Sequence, residues 1–231
     1  MIPILIFLMF STAYAAPAAK PKGCVSAECH GTMLKKAFVH TAVNEDSCQD
    51  CHSASKGSAP YESGARHRFD KVSVPKKCFE CHEAPQGASV HEPVRGGECL
   101  SCHNPHASDQ KHLLARPYSA GWYGDPTAKA YALCFDCHDE KMLLEKKTGD
   151  ATEFRDGTRN LHFVHVLALP RGRSCSACHG VHAAEGAKLI PTSVPFFGYR
   201  VPLNFRAGDK GASCFPACHE KKMYVRSAKS H

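Results

Sequence analysis

Pairs of cysteines followed directly by a histidine recur along the chain and use every cysteine in it. Five pairs have the form C-x-x-C-H, and two are stretched to gaps of four and three residues between the cysteines. These seven motifs account for all 14 cysteines. The motif cysteines are Cys24, Cys29, Cys48, Cys51, Cys78, Cys81, Cys99, Cys102, Cys134, Cys137, Cys175, Cys178, Cys214 and Cys218. The histidines that follow them are His30, His52, His82, His103, His138, His179 and His219.

The motif spacing matches the chemistry of covalent haem attachment. Two thiols add to the two vinyl groups on one porphyrin edge, and the adjacent histidine reaches the iron as its proximal ligand. Zinc ribbons also use C-x-x-C pairs, but zinc does not require a histidine after the second cysteine. We therefore predict seven covalently attached haems c. For the stretched motifs at Cys24–Cys29 and Cys214–Cys218, a disulfide or a zinc site is the alternative.

The motifs are organised as one leading motif, residues 24–30, and three doublets at residues 48–82, 99–138 and 175–219. In each doublet the second motif has a phenylalanine after its first cysteine and an acidic residue after its histidine, as in C-F-D-C-H-D. Such repetition predicts one heptahaem domain built from repeated units, covering residues 16–231.

Histidines outside the motifs stand in register with the doublets. A Val-His pair precedes each doublet and contributes His40, His91 and His165, which lie eight, eight and ten residues before the next cysteine. In the second and third doublets, His106 and His182 follow the first motif by three residues. A six-coordinate iron needs a second axial ligand, and a histidine tied to one motif can supply it to a neighbouring haem.

Seven irons need seven distal ligands, so two more must be chosen. Ser55 stands in the first doublet where the others have a histidine, and His67 is predicted to substitute for it. His162, in the segment L-H-F-V-H, is the seventh choice, with a surface histidine as the alternative for both. His112 and His231 are left over as spares. The predicted distal ligands are His40, His67, His91, His106, His162, His165 and His182.

The composition favours an interior filled by a cofactor. Aliphatic residues are modest for 231 residues, so a side-chain core would be thin. The formal net charge of +7 offsets the two propionates that each haem brings. Nucleic-acid binding is the alternative based on charge, and no motif supports it. Few methionines are present, so we expect mostly bis-histidine haems, which lack the ligand that raises the potential.

The first 15 residues predict an export signal. A short apolar run at residues 2–10 is followed by small residues, with alanine at positions 13 and 15. A buried N-terminal helix is the alternative. No later stretch is long and apolar enough to cross a membrane. We therefore expect a protein that works in the periplasm, is not itself membrane-spanning, and can associate with the outer membrane.

The predicted fold is mostly irregular coil, with few short α-helices wrapped around a stacked multihaem chain and no substantial sheet. Proline- and glycine-rich stretches separate most motifs, as at residues 191–211. One helix is predicted over residues 128–147, beginning after Asp125-Pro126 and ending near Gly149.

The doublets, with C-L-S-C-H-N-P-H-A-S at residues 99–108 and L-C-F-D-C-H-D at residues 133–139, resemble the doubled C-x-x-C-H family of multihaem cytochromes c. The final third is also similar to periplasmic cytochromes of metal-reducing bacteria that work with an outer-membrane porin. That resemblance implies redox partners: a periplasmic or inner-membrane donor, the porin and a surface cytochrome. Ser55 and the four-residue gap at Cys24–Cys29 depart from the family pattern.

Three classes of function compete on the sequence. The first is electron transfer without substrate chemistry and without a catalytic residue, toward an extracellular electron transfer conduit. The second is a multihaem reductase of a small oxyanion, which requires one iron with an open coordination position. The third is the subunit of a polymerising cytochrome filament, which requires haem contacts or ligands that cross between protomers.

Overall fold

A computed structural model describes residues 23–26, 29–56, 68–168 and 170–227. The predicted export signal, the predicted ligand His67 and the spare histidine His231 lie outside the described residues.

The helices are short, as the spacing of the motifs predicts. Every α-helix among the described residues is a single turn of four residues, and a π-helix of five residues begins within the L-H-F-V-H segment, directly after His162. The α-helices are α1 Thr41–Asn44, α2 Glu92–Arg95, α3 Ala132–Phe135 and α4 Lys141–Leu144, and the π-helix is Phe163–Leu167. The 3-10 helices are Gly31–Lys35, Cys48–Asp50, Cys78–Glu80, Cys99–Ser101, Lys111–Leu113, Ala128–Tyr131, Cys175–Ala177 and Ala187–Leu189.

The continuous helix expected over residues 128–147 is wrong. Helical turns form before and after the fifth motif, but the chain leaves the helix between Phe135 and Lys141. Helical hydrogen bonds end within the motif, where the amide of His138 donates the last of them to the carbonyl of Cys134. The carboxylate of Asp139 then accepts the amide of Lys141 at 2.9 Å and starts the next turn.

Short antiparallel strands occur along the whole described chain, so the expectation of no substantial sheet is partly wrong. The largest sheet has three strands in the order β11-β10-β9, and the others have two. The paired strands are β1 Phe38–Val39 with β3 Ala107–Ser108, β2 Ser89–Val90 with β6 Ala183–Ala184, β4 Arg155–Asp156 with β5 Arg159–Asn160, and β7 Ser193–Phe196 with β8 Tyr199–Pro202. The three-stranded sheet contains β9 Arg206–Gly208, β10 Gly211–Cys214 and β11 Lys222–Val225.

The β7–β8 hairpin explains why the sheet content was underestimated. Its prolines favour a loop assignment, but a two-stranded hairpin has only edge strands, where a missing amide donor is tolerated. Val194 and Val201 face each other across the hairpin and are buried. Burial of these apolar side chains therefore outweighs the proline content.

Two of the small sheets join successive doublets. Strand β1 precedes the first doublet and pairs with β3, which follows the first motif of the second doublet. Strand β2 precedes the second doublet and pairs with β6, which follows the first motif of the third. The strand that introduces each of these doublets is thus bound to the doublet after it.

A cavity, rather than packed side chains, occupies the centre of the molecule. Buried apolar side chains form two small clusters, one around Tyr131 and one around Val194. Between them runs a continuous cavity of about 2870 Å³, lined by residues from all seven motifs. Several exposed apolar side chains, among them Phe79 and Val181, line this cavity. The protein therefore presents its apolar surface inward to a large space.

Candidate haem-binding sites

The five regular motifs share one backbone hydrogen bond. The amide of the motif histidine donates to the carbonyl of the first cysteine, as from His52 to Cys48 at 2.9 Å. In four motifs the first cysteine begins a 3-10 helix, and in the fifth Cys134 lies within helix α3. This closure brings both thiols and the imidazole together at one turn. The regular spacing is therefore what lets one turn offer two thiols and one metal ligand.

The stretched leading motif reaches the same closure despite its longer gap. The amide of His30 donates to the carbonyl of Cys24 at 3.0 Å. In the last motif, by contrast, the amide of His219 contacts the carbonyl of Pro216 at 3.5 Å. All 14 cysteines lie within the described residues and are free thiols.

Six motif histidines each face one of the predicted distal histidines. The distances between ring centroids are 6.0 Å for His40 and His82, 5.8 Å for His52 and His106, 6.1 Å for His91 and His138, 5.9 Å for His103 and His182, 6.4 Å for His162 and His179, and 6.5 Å for His165 and His219.

These separations fit an atom held between two imidazoles. A metal–imidazole bond is about 2 Å long, so two ligands on opposite sides of one ion have their nitrogens about 4 Å apart, with the ring centroids further apart. In the His52–His106 pair the two Nε2 atoms are 3.5 Å apart. The pairs therefore present nitrogen donors at the spacing that bis-histidine ligation of an iron needs.

The pairs follow a rule in the first two doublets. The Val-His histidine faces the second motif of its own doublet, as His91 faces His138. The histidine three residues after a first motif faces the first motif of the preceding doublet, as His182 faces His103. The strand pairs between doublets support this, because the amide of His91 donates to the carbonyl of His182 at 3.0 Å.

The first motif of the third doublet faces a histidine from its own doublet. His162, three residues before His165 in the π-helix, faces His179 of the first motif. His165 faces His219 of the second motif, in line with the rule. Phe154 packs against both rings, with centroids 5.1 and 5.4 Å away. One short helix thus serves both motifs of the doublet.

Burial favours the neutral form of several of the facing imidazoles, among them His106, His162 and His182. Desolvation, followed by the nearby His179 and His165, lowers the pKa of His162 to about 3. Burial is also the largest cause of the lowered pKa values of His106 and His182. Only a neutral imidazole has a free nitrogen to bind a metal, so the cavity favours the ligating form.

Contacts to the other ring nitrogen, Nδ1, set the tautomer of several histidines. The Nδ1 atom of His103 lies 3.0 Å from the carbonyl oxygen of His112, and that of His179 lies 2.9 Å from the carbonyl oxygen of Lys188. An Nδ1–H that donates to a carbonyl leaves Nε2 free for a metal. For His162 the partner is a side chain, Thr152 Oγ1 at 3.0 Å.

These carbonyl partners are not evident from the sequence. His112 and Lys188 both have a left-handed backbone, with φ of +59° and +58°, and each lies nine residues after its motif histidine. The repeated spacing of nine residues was the only signal in the sequence. Every residue has a backbone carbonyl, so the residue type at these positions gives no indication of the contact. His112, which the sequence left without a predicted role as a ligand, contacts His103 through its backbone carbonyl.

Comparison with protein families supports the doublets. Residues 40–87 and 91–143 each match a family model described as the doubled CXXCH motif. Each match begins at the histidine of a Val-His pair and contains one predicted doublet. The doubled motif indicates covalently bound c-type haem, so the chain carries the signature of a multihaem c-type cytochrome.

No curated protein and no solved structure matches the chain. The family match does not include the third doublet, which differs from the others in its stretched second motif and its longer Val-His spacing. Within the described ranges, no helix is both long and apolar enough to cross a membrane.

Proposed function

We propose that the chain is a periplasmic heptahaem c-type cytochrome that relays electrons along bis-histidine haems toward an outer-membrane conduit. The observation that carries this proposal is the set of six histidine pairs, each of which joins a motif histidine to a histidine singled out by the repeat. When bound, haem iron supplies reversible one-electron chemistry. The chain's own part is to hold, orient and enclose the irons.

The residues divide into anchors and ligands. In each motif the two cysteines would anchor one haem, the motif histidine would be the proximal ligand, and the facing histidine would be the distal ligand. Six sites are completed in this way by the pairs described above. His30 is the remaining proximal residue and His67 the remaining predicted distal one, so elimination assigns them to each other.

The proximity of thiols from different motifs supports an order of sites that follows the sequence. The ligand atoms of Cys24 and Cys48 lie within 4.8 Å of each other, which joins the leading motif to the first doublet. Burial and then the nearby Cys99 raise the pKa of the Cys78 thiol, which joins the first doublet to the second. The hydrogen bond with Cys134, followed by burial, raises the pKa of Cys175, which joins the second doublet to the third.

Within a doublet, the second cysteine of the first motif lies near the cysteines of the second motif. Cys51 contributes to the raised pKa of Cys78. Burial raises the pKa of Cys178 to about 11, with Cys214 and Cys218 as the next causes. In the second doublet, burial and then Cys134 raise the pKa of Cys102. These neighbouring thiols support one row of seven sites from the leading motif to the last, and a row favours a path for electrons over a single reaction centre.

Export and partners rest on the sequence. The signal-like first 15 residues and the resemblance to porin-associated cytochromes support a periplasmic location, with a periplasmic or inner-membrane donor and an outer-membrane porin and surface cytochrome as acceptors. The excess of basic side chains, +7 in total, offsets the propionates of seven haems.

The structure favours relay over the two alternatives. A reductase needs an iron with one open position, whereas six described motif histidines already have a facing histidine. A filament needs ligands or strands that reach another protomer. Among the described residues, the strands that introduce the first two doublets are paired within the chain, and Ala54, after the first motif of the first doublet, forms a bridge with Phe69.

Intact mass measurement of the purified mature protein tests the proposal. We expect a chain that begins near residue 16 and carries seven haems, because each missing haem lowers the mass by one whole cofactor. The reduced wild type should bind no carbon monoxide and should not turn over nitrite, sulfite or hydroxylamine. Six haems would exclude the leading motif, and steady turnover would favour the reductase.

A further inference from the structure

The most exposed large apolar side chains among the described residues are Tyr199, Phe197 and Met223, at 76%, 72% and 72%. Met223 lines the central cavity, where a bound haem would cover it, but Phe197 and Tyr199 do not. Both belong to the tip of the β7–β8 hairpin. Two aromatic rings therefore face the outside of the protein even when the cavity is filled.

Phenylalanine is an unfavourable residue for this turn. The strands are joined by Phe197-Gly198, with φ values of +43° and +86°. Two-residue turns with both φ values positive favour Asn-Gly, because a bulky L-residue clashes with its own backbone there. An aromatic ring held at the tip against the local preference indicates a function for the ring.

The hairpin presents its tip from a fixed base. Val194 is 2% exposed, and the ring of Phe196 lies 4.7 Å from that of Trp122. Pro195 and Pro202 occupy the two strands and are exposed. Prolines on both edges oppose the addition of a further strand, so a second copy of the chain is not expected to pair with the hairpin.

Arginines flank the tip. Arg171 stacks on the ring of Tyr123 at 4.0 Å, and that ring lies 6.4 Å from Phe197. Arg200 is held by two hydrogen bonds to Ser193, of 2.9 and 2.8 Å. No ion pair within the described part of the chain uses either arginine. Their guanidinium groups are therefore oriented donors for oxygen anions.

We propose that this hairpin tip, comprising Phe197, Tyr199, Arg171 and Arg200, binds the surface of an anionic lipid bilayer. Two aromatic side chains can bury at most about 500 Å², whereas a stable protein interface needs about 800 Å² from each partner. A bilayer accepts a narrow tip, with aromatic rings at the headgroup boundary and guanidinium groups on the phosphates.

Binding in this way would orient the row of haem sites. The carbonyl of Trp122, at the hairpin base, accepts the amide of Ser174 at 3.2 Å, directly before Cys175 of the sixth motif. The lipid contact therefore lies close to the sixth motif, in the C-terminal part of the chain, and would bring that part of the row toward the membrane.

Flotation of the purified holoprotein with vesicles tests the proposal. Wild type should bind vesicles of phosphatidylcholine with phosphatidylglycerol more tightly than vesicles of phosphatidylcholine alone. Phe197→Asn should weaken binding about tenfold or more through loss of the buried ring, while its thermal unfolding midpoint stays equal or rises, because Asn-Gly suits the turn. Arg171→Gln should cost about fivefold on the anionic vesicles.

Leu144→Ser is the matched control, because Leu144 is 42% exposed, lies outside the cavity and is not part of the tip. It should bind as wild type does. The haem-to-protein ratio of every variant separates this test from the proposed redox function, since vesicle binding does not require electron transfer. Wild type that binds neither vesicle, or Phe197→Asn that binds like wild type, would overturn the proposal in favour of a protein partner.

Discussion

The second and third doublets place a facing histidine opposite their first motif in different ways. In the second, the first motif faces His182, a histidine supplied by the doublet that follows. In the third, the first motif faces His162, which lies upstream in the same unit. The Val-His pair of the second doublet follows strand β2, whereas that of the third lies in a π-helix. The third doublet therefore supplies the facing histidines of both of its motifs from its own residues.

Among the tests of this difference between the doublets, we expect the largest effect from removal of His162. His162→Ala should produce one five-coordinate ferrous haem that binds carbon monoxide, because His179 loses its only facing histidine among the described residues. Optical titration of the reduced protein with carbon monoxide measures this directly. The number of haems per chain should stay unchanged, since no cysteine is altered.

His112→Ala is the matched control, because its backbone carbonyl, not its side chain, contacts His103. It should bind no carbon monoxide. If His112→Ala opened a site and His162→Ala did not, seven distal ligands could still exist, but the third doublet would not be closed by His162.

The sequence singled out the histidines that form the pairs, but it predicted neither their pairing nor much of the backbone. Spacing alone marked His106 and His182, since a ligand tied to a motif must recur at a fixed distance from it. The same reasoning could not show that each faces the preceding doublet, which depends on strand pairing between distant segments. The helix over residues 128–147 failed because helical periodicity does not register the turn that the fifth motif imposes.

Burial of apolar side chains also explains why the sequence did not predict the β7–β8 hairpin in the C-terminal region. The β7–β8 hairpin contains prolines that locally favour a loop, and its formation depends on packing of Val194 and Val201 against Leu203. His67 and the export signal lie outside the described residues, so these assignments stay predictions.

A glycine at the junction between doublets offers a second test. A Cβ atom on Gly87 would lie 2.5 Å from the backbone oxygen of Ala184, in strand β6. Gly87→Ala should therefore lower the free energy of unfolding by about 1–3 kcal/mol, because backbone on both sides must shift. Thermal unfolding followed by circular dichroism measures the change.

Gly149→Ala is the control for that junction, because a Cβ atom there meets nothing within 4 Å. Its stability should equal or slightly exceed that of wild type. Equal stability of Gly87→Ala and wild type would show that the second and third doublets do not approach each other as closely as the strand pair requires.

The smallest expected effect concerns Thr152, whose hydroxyl contacts the Nδ1 atom of His162 at 3.0 Å. With Nε2 of His162 as the ligand atom, Nδ1 carries the hydrogen and donates it to this oxygen, which also accepts the amide of Phe154 at 3.0 Å. A donated Nδ1–H makes imidazole a stronger ligand and favours ferric iron. Thr152→Val should therefore raise the potential of one haem by tens of millivolts, about the value of one hydrogen bond.

Potentiometric titration of the holoprotein detects that shift, and two further variants assign it. Thr148→Val, in the same loop, removes a hydroxyl that accepts the amide of Ala151 and should leave all potentials unchanged. In a His162→Ala background, Thr152→Val should have no effect, because the hydroxyl acts only through that imidazole. A shift of equal size in that background would mean that Thr152 acts on the haem pocket as a whole. The orientation of the His162 ring would then depend on packing against Phe154 and not on a hydrogen bond with Thr152.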